Sequence, residues 1–198
     1  MVGETEEIER SMKRLKITFN APVTLGFALV SLAVLGLNIL TRGRSNSLLF
    51  STYHSSLLSP LTYLRFFTHV LGHSGWQHYA GNMMYILLLG PMLEEKYGSK
   101  KIGSAILITA AVTGVVNYIF FPSTALCGAS GVVFAFILLT SFTGFHDGEI
   151  PLSFLLIAII FIGQQVVDGI FVRDNVSNLS HIIGGIVGSV IGYNVNKR

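Results

Sequence analysis

The sequence predicts an all-α, polytopic membrane protein, a six-helix bundle with a long interfacial loop between its first two membrane helices. Three observations carry that expectation. Charged residues make up only 12% of the 198 positions, about half the share with which a soluble domain covers its surface. Hydrophobic residues make up 51%, and the mean hydropathy is +0.64. Those hydrophobic residues gather into six segments that contain no Asp, Glu, Lys or Arg. Each segment is roughly 17–20 residues long, the length that crosses the hydrocarbon core at about 1.5 Å per residue.

The chain opens on a charged stretch of both signs, including Glu4, Glu6, Glu7, Arg10, Lys13, Arg14 and Lys16. Residues 1–20 are therefore set apart as a short cytoplasmic or interfacial segment, and residues 21–198 as the helical domain. Mixed charge without a small-residue cleavage site is unlike a cleaved signal peptide. The six spans are placed at Ala21–Leu40, Gln77–Leu93, Ile102–Phe121, Cys127–Phe145, Ile150–Val167 and Asn178–Val195. Between the first two, Thr41–Trp76 is too long for a simple connection, and loops of that length are commonly functional. Its residues Leu57, Leu58, Leu61, Leu64, Phe66 and Phe67 are expected to lie in the outer interface of the bilayer.

Orientation follows from the basic residues. With the N-terminus inside, nine of the 13 Lys and Arg fall on inner segments and four on outer ones, namely Arg42, Arg44, Arg65 and Arg173. Basic residues favour the cytoplasmic side, which puts both termini in the cytoplasm and the protein in a cell membrane. The pI near 9.1 reflects basic residues at the ends of apolar segments, where they meet lipid head groups instead of nucleic acid. One cysteine, Cys127, excludes an internal disulfide and leaves the redox compartment unread.

Ionisable side chains inside lipid are costly, and each is a functional candidate by default. His78 and His181 lie within the spans, and Asn82 follows His78 by one helical turn. Ser130 sits near the start of the fourth span, in Gly128-Ala129-Ser130-Gly131. Spans two, four and six run in one direction, so His78, Asn82, Ser130 and His181 share one shallow depth on the outer side. A single shared site requires that coincidence. Gly131 and Ala135 on span four, with Gly184, Gly188 and Gly192 on span six, permit close backbone approach. A serine and a histidine on such a seam come within reach for base activation of a nucleophile. A helix start at Ser130 adds backbone N–H groups and a positive dipole end for a developing oxyanion.

Blander roles compete at each position. Ser130 between glycines is by itself a packing residue, and a lone membrane histidine is by default an interhelical hydrogen bonder. His69, His73 and His78 have partly helical spacing, yet no HExxH motif or carboxylate accompanies them, so no metal is expected. Cys127 reads as small filler, and Asn117, Gln164 and Gln165 as hydrogen bonders between helices.

Taken together, Gly128-Ala129-Ser130-Gly131, His78-x-x-x-Asn82 and His181-x-x-Gly184-x-x-x-Gly188 resemble the signatures of the rhomboid family of intramembrane serine proteases. Arg65-Phe66-Phe67-Thr68-His69 with His73, and Glu94 followed by Gly98-Ser99, extend the resemblance from roughly Thr62 to Tyr193. It implies a catalytic dyad of Ser130 as nucleophile and His181 as base. The oxyanion hole would comprise the Ser130 N–H and the side chains of His78 and Asn82. Arg65 and Glu94 would be structural, no cofactor is implied, and substrates would be transmembrane proteins cut near the outer membrane face. Leu64 departs from the pattern, since many relatives carry Trp before that Arg. Two rival classes are a transporter or channel and a catalytically dead relative that binds membrane helices. A transporter of this size is expected to show an internal repeat or paired broken helices, and none is visible. A dead relative would lack Ser130 or His181. The sequence leaves the oligomeric state open.

Overall fold

The computed structural model describes residues 17–144, 149–171 and 178–197. Most of the charged N-terminal segment, the loop after span four and Arg173 lie outside them. The described residues form α1 (Pro22–Leu40), α2 (Arg44–Leu49), α3 (Pro60–Thr68), α4 (Trp76–Tyr97), α5 (Ser99–Phe120), α6 (Ser130–Ser141), α7 (Leu152–Phe171) and α8 (Asn178–Asn196). Short 3₁₀ turns follow α3 and α6, at His69–Leu71 and Phe142–Gly144. Of these helices, α1 and α5 are both long and apolar enough to cross a membrane, while Ser130–Ser141 and Leu152–Gln165 are shorter apolar stretches.

Contacts at the helix ends fix the directions. Asn196 at the end of α8 donates to the Tyr97 hydroxyl at the end of α4, 2.9 Å away. Lys96, also at the end of α4, donates to the Thr143 carbonyl just past α6. Helices α4, α6 and α8 therefore run parallel. Helix α1 runs the other way, because its first turn meets Glu94 near the α4 C-terminus. The Glu94 carboxylate accepts from the Val23 and Thr24 N–H groups at 3.0 and 2.9 Å. It also accepts from the hydroxyls of Thr24 and Ser99 at 2.8 and 2.7 Å. The first N–H groups of a helix have no partner within it, and a carboxylate also suits the positive end of the dipole. Glu94 thus ties the starts of α1 and α5 to the end of α4.

The distribution of polarity is inside-out. Buried positions include Thr24, Ser31, Asn82, Thr109, Thr113, Asn117 and Ser180. The outward faces carry Leu29 and Ile39 on α1, Leu88 and Met92 on α4, and Leu107 and Ile119 on α5. Helices α7 and α8 add Ile159, Ile160, Ile186 and Val190. An apolar exterior over a partly polar interior is how a bundle is built for a hydrocarbon solvent. Helix α6 is the centre, with Val132, Phe136 and Leu139 almost wholly buried.

Several predicted boundaries shift. Span two runs four residues further, through Glu94, Glu95 and Lys96, because a charged last turn reaches beyond the apolar stretch. Span four starts three residues late, since Gly128 turns at φ +127° and interrupts any helix from Cys127. Span five begins after Pro151 and continues past Val167 to Phe171. In the first loop Phe66 faces inward and is buried, whereas Leu57, Leu58, Leu64 and Phe67 are exposed. Despite Leu64, Arg65 remains anchored. Its Nε donates to the Leu48 carbonyl at 2.8 Å, and its guanidinium lies 4.5 Å from the Tyr53 ring centre.

Candidate active site

Ser130 is delivered to its place by the segment before it. Leu126 and Thr52 exchange backbone hydrogen bonds of 2.9 and 2.8 Å, an isolated antiparallel bridge. The Gly128 N–H then donates to the His69 carbonyl at 2.9 Å. Asn117 donates to the carbonyls of Thr52 and Thr124 at 3.3 and 3.1 Å, bracing the loops and not a second helix. The chain turns at Gly128, and Ser130 is the first residue of α6. A positive φ favours glycine, and space demands it as well. A Cβ on Gly128 would fall 2.6 Å from His78 Nε2 and 3.7 Å from Asn82 Nδ2.

His181 comes from the first turns of α8. Its Nε2 lies 2.9 Å from Ser130 Oγ. The approach depends on the glycines of α8: a Cβ on Gly188 would fall 2.1 Å from the Ala135 carbonyl oxygen, so the helices touch backbone to backbone. Phe134, one turn after Ser130, covers the imidazole at 4.5 Å between ring centres and 32° between planes. Phe161 of α7 packs on Phe134 at 3.9 Å.

The other imidazole nitrogen is also engaged. His181 Nδ1 is 2.7 Å from Oε1 of Gln165, a buried side chain on α7. A carbonyl oxygen only accepts, so Nδ1 carries the proton and Nε2 presents its lone pair to the Ser130 hydroxyl.

His78 has the opposite polarity. The Ser74 N–H donates to His78 Nδ1 at 3.4 Å, and the Ser74 hydroxyl lies 3.1 Å from the same nitrogen. A backbone N–H cannot accept, so the neutral ring carries its proton on Nε2, the atom beside Gly128. Asn82 lies one turn further along α4, and its buried Nδ2 has no hydrogen-bond partner among the described residues. Two N–H donors on α4 thus face the turn that precedes Ser130.

The remaining candidates lie elsewhere. His69 is buried with Nε2 3.1 Å from the Ala110 carbonyl, and His73 has Nδ1 3.1 Å from the Leu71 carbonyl. Among the described residues no group of three or more His, Cys, Asp or Glu is placed to hold a metal ion. Gln165 was expected as an interhelical hydrogen bonder and is one, but its partner is the site histidine. Ser74 and Phe134 were not singled out. The place of Ser74 four residues before His78 was an available signal, and that of Phe134 four residues after Ser130 was another.

Fold and site define a polytopic helical membrane protein with a serine and a histidine paired inside the bundle. The rhomboid domain family model matches residues 60–198, and the chain belongs to the rhomboid family. It is 31% identical to Rhomboid-related protein 2 of Mus musculus over 196 residues, 88% of this chain and 65% of that protein. It is 29% identical to the rhomboid protease GlpG of Haemophilus influenzae over 133 residues, 65% of this chain and 68% of that one. Against the rhomboid protease GlpG of Salmonella newport the identity is 30% over 140 residues, 68% of this chain and half of that protein. The chain thus spans between half and about two thirds of these relatives.

Proposed function

We propose that this protein is an intramembrane serine endopeptidase that cleaves transmembrane proteins through a Ser130–His181 dyad. The single observation that carries the proposal is the 2.9 Å contact between Ser130 Oγ and His181 Nε2 at adjoining helix starts. Two of the relatives are named as proteases. His181 Nε2 takes the hydroxyl proton as Oγ attacks the scissile carbonyl carbon, and the imidazolium then passes that proton to the leaving amine. Water repeats the cycle on the acyl-enzyme and releases Ser130. The negative oxygen of the tetrahedral intermediate meets the Ser130 N–H, His78 Nε2–H and Asn82 Nδ2–H. Donors held in place before reaction lower the barrier because nothing need reorganise when charge develops. Asn82 Nδ2, without a partner among the described residues, supports this role, since a buried donor without an acceptor costs about 1–3 kcal/mol that substrate can relieve.

Six spans are proposed, formed by α1 and α4–α8. The starts of α4, α6 and α8 bring the site to one end of the bundle, and the starts of α1 and α5 lie at the other. Lys96, Lys100, Lys101 and Lys197 gather at that second end, whereas Arg42, Arg44 and Arg65 lie toward the site. Basic residues mark the cytoplasmic side, so the site faces outward and the two chain ends face the cytoplasm. The exposed loop residues Leu57, Leu58 and Phe67 lie at the outer interface.

Covalent labelling tests the chemistry. A fluorophosphonate should modify Ser130, identified by mass spectrometry, and His181→Ala should abolish the modification. Equal labelling of the His181→Ala protein would contradict base activation.

A further inference from the structure

We propose that Gln165 is a positioning residue for catalysis, the third member of a Ser130–His181–Gln165 hydrogen-bonded chain that holds the base in its working tautomer. The assignment rests on the Ser130–His181 reading of the site and adds to it a residue on a third helix.

Geometry carries it. Gln165 is 7% exposed, and its Oε1 lies 2.7 Å from His181 Nδ1, a shorter contact than that between His181 and Ser130. A neutral imidazole holds one proton, and the two tautomers are close in energy without a partner. With the proton on Nε2 the ring would donate to Ser130 Oγ and have no lone pair with which to take its proton. An oxygen at Nδ1 removes that state from competition. Phe134 fixes the ring plane from one face, but a ring stack is blind to which nitrogen is protonated. The 2.7 Å contact with Gln165 Oε1 does distinguish them.

The same contact acts again during the reaction. When Nε2 takes the Ser130 proton the ring becomes a cation, and the Nδ1–H to Oε1 hydrogen bond becomes charge-assisted and stronger. An aspartate would stabilise that cation more. It would also place a permanent anion within the bundle, where charge is costly, and a neutral amide avoids that. Gln165 therefore supplies tautomer control with a weaker electrostatic effect than a buried carboxylate gives.

The test uses the full chain in detergent micelles with a transmembrane peptide substrate. Gln165→Met keeps length and shape and removes the acceptor. It should lower kcat by about 10- to 100-fold, less than the roughly 10⁴-fold seen when a serine protease histidine is left in the wrong tautomer. KM should change by less than about threefold, because a transition-state contact is lost. Gln165→Glu returns an acceptor oxygen and should recover most of the rate. Melting temperature is measured on each sample, and Gln165→Ala replaces the Met variant should that one fail to fold. Wild-type kcat below a lowered melting temperature would make Gln165 a packing residue and overturn the proposal. Equal slowing by Met and Glu would overturn it also. In either case inactive Ser130→Ala and His181→Ala proteins leave the dyad standing, whereas an active Ser130→Ala protein removes the dyad itself.

Discussion

Gly184 stands so close to Gly131 that a Cβ placed on it would fall 2.2 Å from the Gly131 carbonyl oxygen. The contact joins α8 to α6 at the residue after Ser130 and one turn after His181, so the seam sets the Ser130–His181 distance.

Gly184→Ala should therefore impair catalysis as well as stability. The clash is with backbone, which cannot rotate away, and overpacking commonly costs about 1–3 kcal/mol. Pushing the helices apart also lengthens a 2.9 Å contact. We expect a lowered melting temperature and a loss of turnover that persists well below it. Full turnover in a merely less stable Gly184→Ala protein would show that the seam does not set the site.

Asn82→Ala separates oxyanion support from the dyad. Removing one preorganised donor typically costs about 10²–10³ in kcat. Two further donors remain, so the loss should lie at or below the lower end of that range, with KM changing less. Because Asn82 Nδ2 is buried without a partner among the described residues, its removal should leave the melting temperature unchanged or higher. Lowered stability with unchanged kcat would make Asn82 an interhelical tie and remove it from the site.

Histidines in the first loop predict a pH dependence of stability. Burial lowers the pKa of His69 from 6.5 to about 4. Burial, and then the neighbouring His78, lowers that of His73 to about 4 as well. The unfolded chain binds these protons at higher pH than the folded one, so the neutral histidines stabilise the fold fully above pH 6.5. That contribution is lost as pH falls toward 4, at about 1.4 kcal/mol per pH unit for each group. Melting temperature in micelles should fall across that window, less steeply in His69→Gln. An identical slope in the variant would exclude His69 as a source.

Much of the candidate site's geometry was legible because its spacing is local. His78 and Asn82 share a helix turn, Ser130 begins a helix, and His181 precedes the glycines that bring α8 to it. What escaped was set by pairings distant in sequence. Nothing near Leu126 announces that it bridges to Thr52, and without that bridge Cys127–Ala129 reads as the start of a helix. Asn117 looked like a tie between helices because its loop partners, the carbonyls of Thr52 and Thr124, are backbone atoms that no side-chain pattern reveals. Gln165 was visible as a polar residue in an apolar helix. Which neighbour it faces depends on the rotation of α7, and Gln164 beside it offered an equal choice.

The most direct measurement is proteolysis of a model transmembrane substrate by the purified chain, with wild type, Ser130→Ala and His181→Ala compared side by side. We expect cleavage within the substrate's membrane segment by wild type, and none above background by either variant, with both variants melting near the wild-type temperature. Cleavage by folded Ser130→Ala at a rate comparable to wild type, in preparations free of other proteases, would contradict the proposed mechanism.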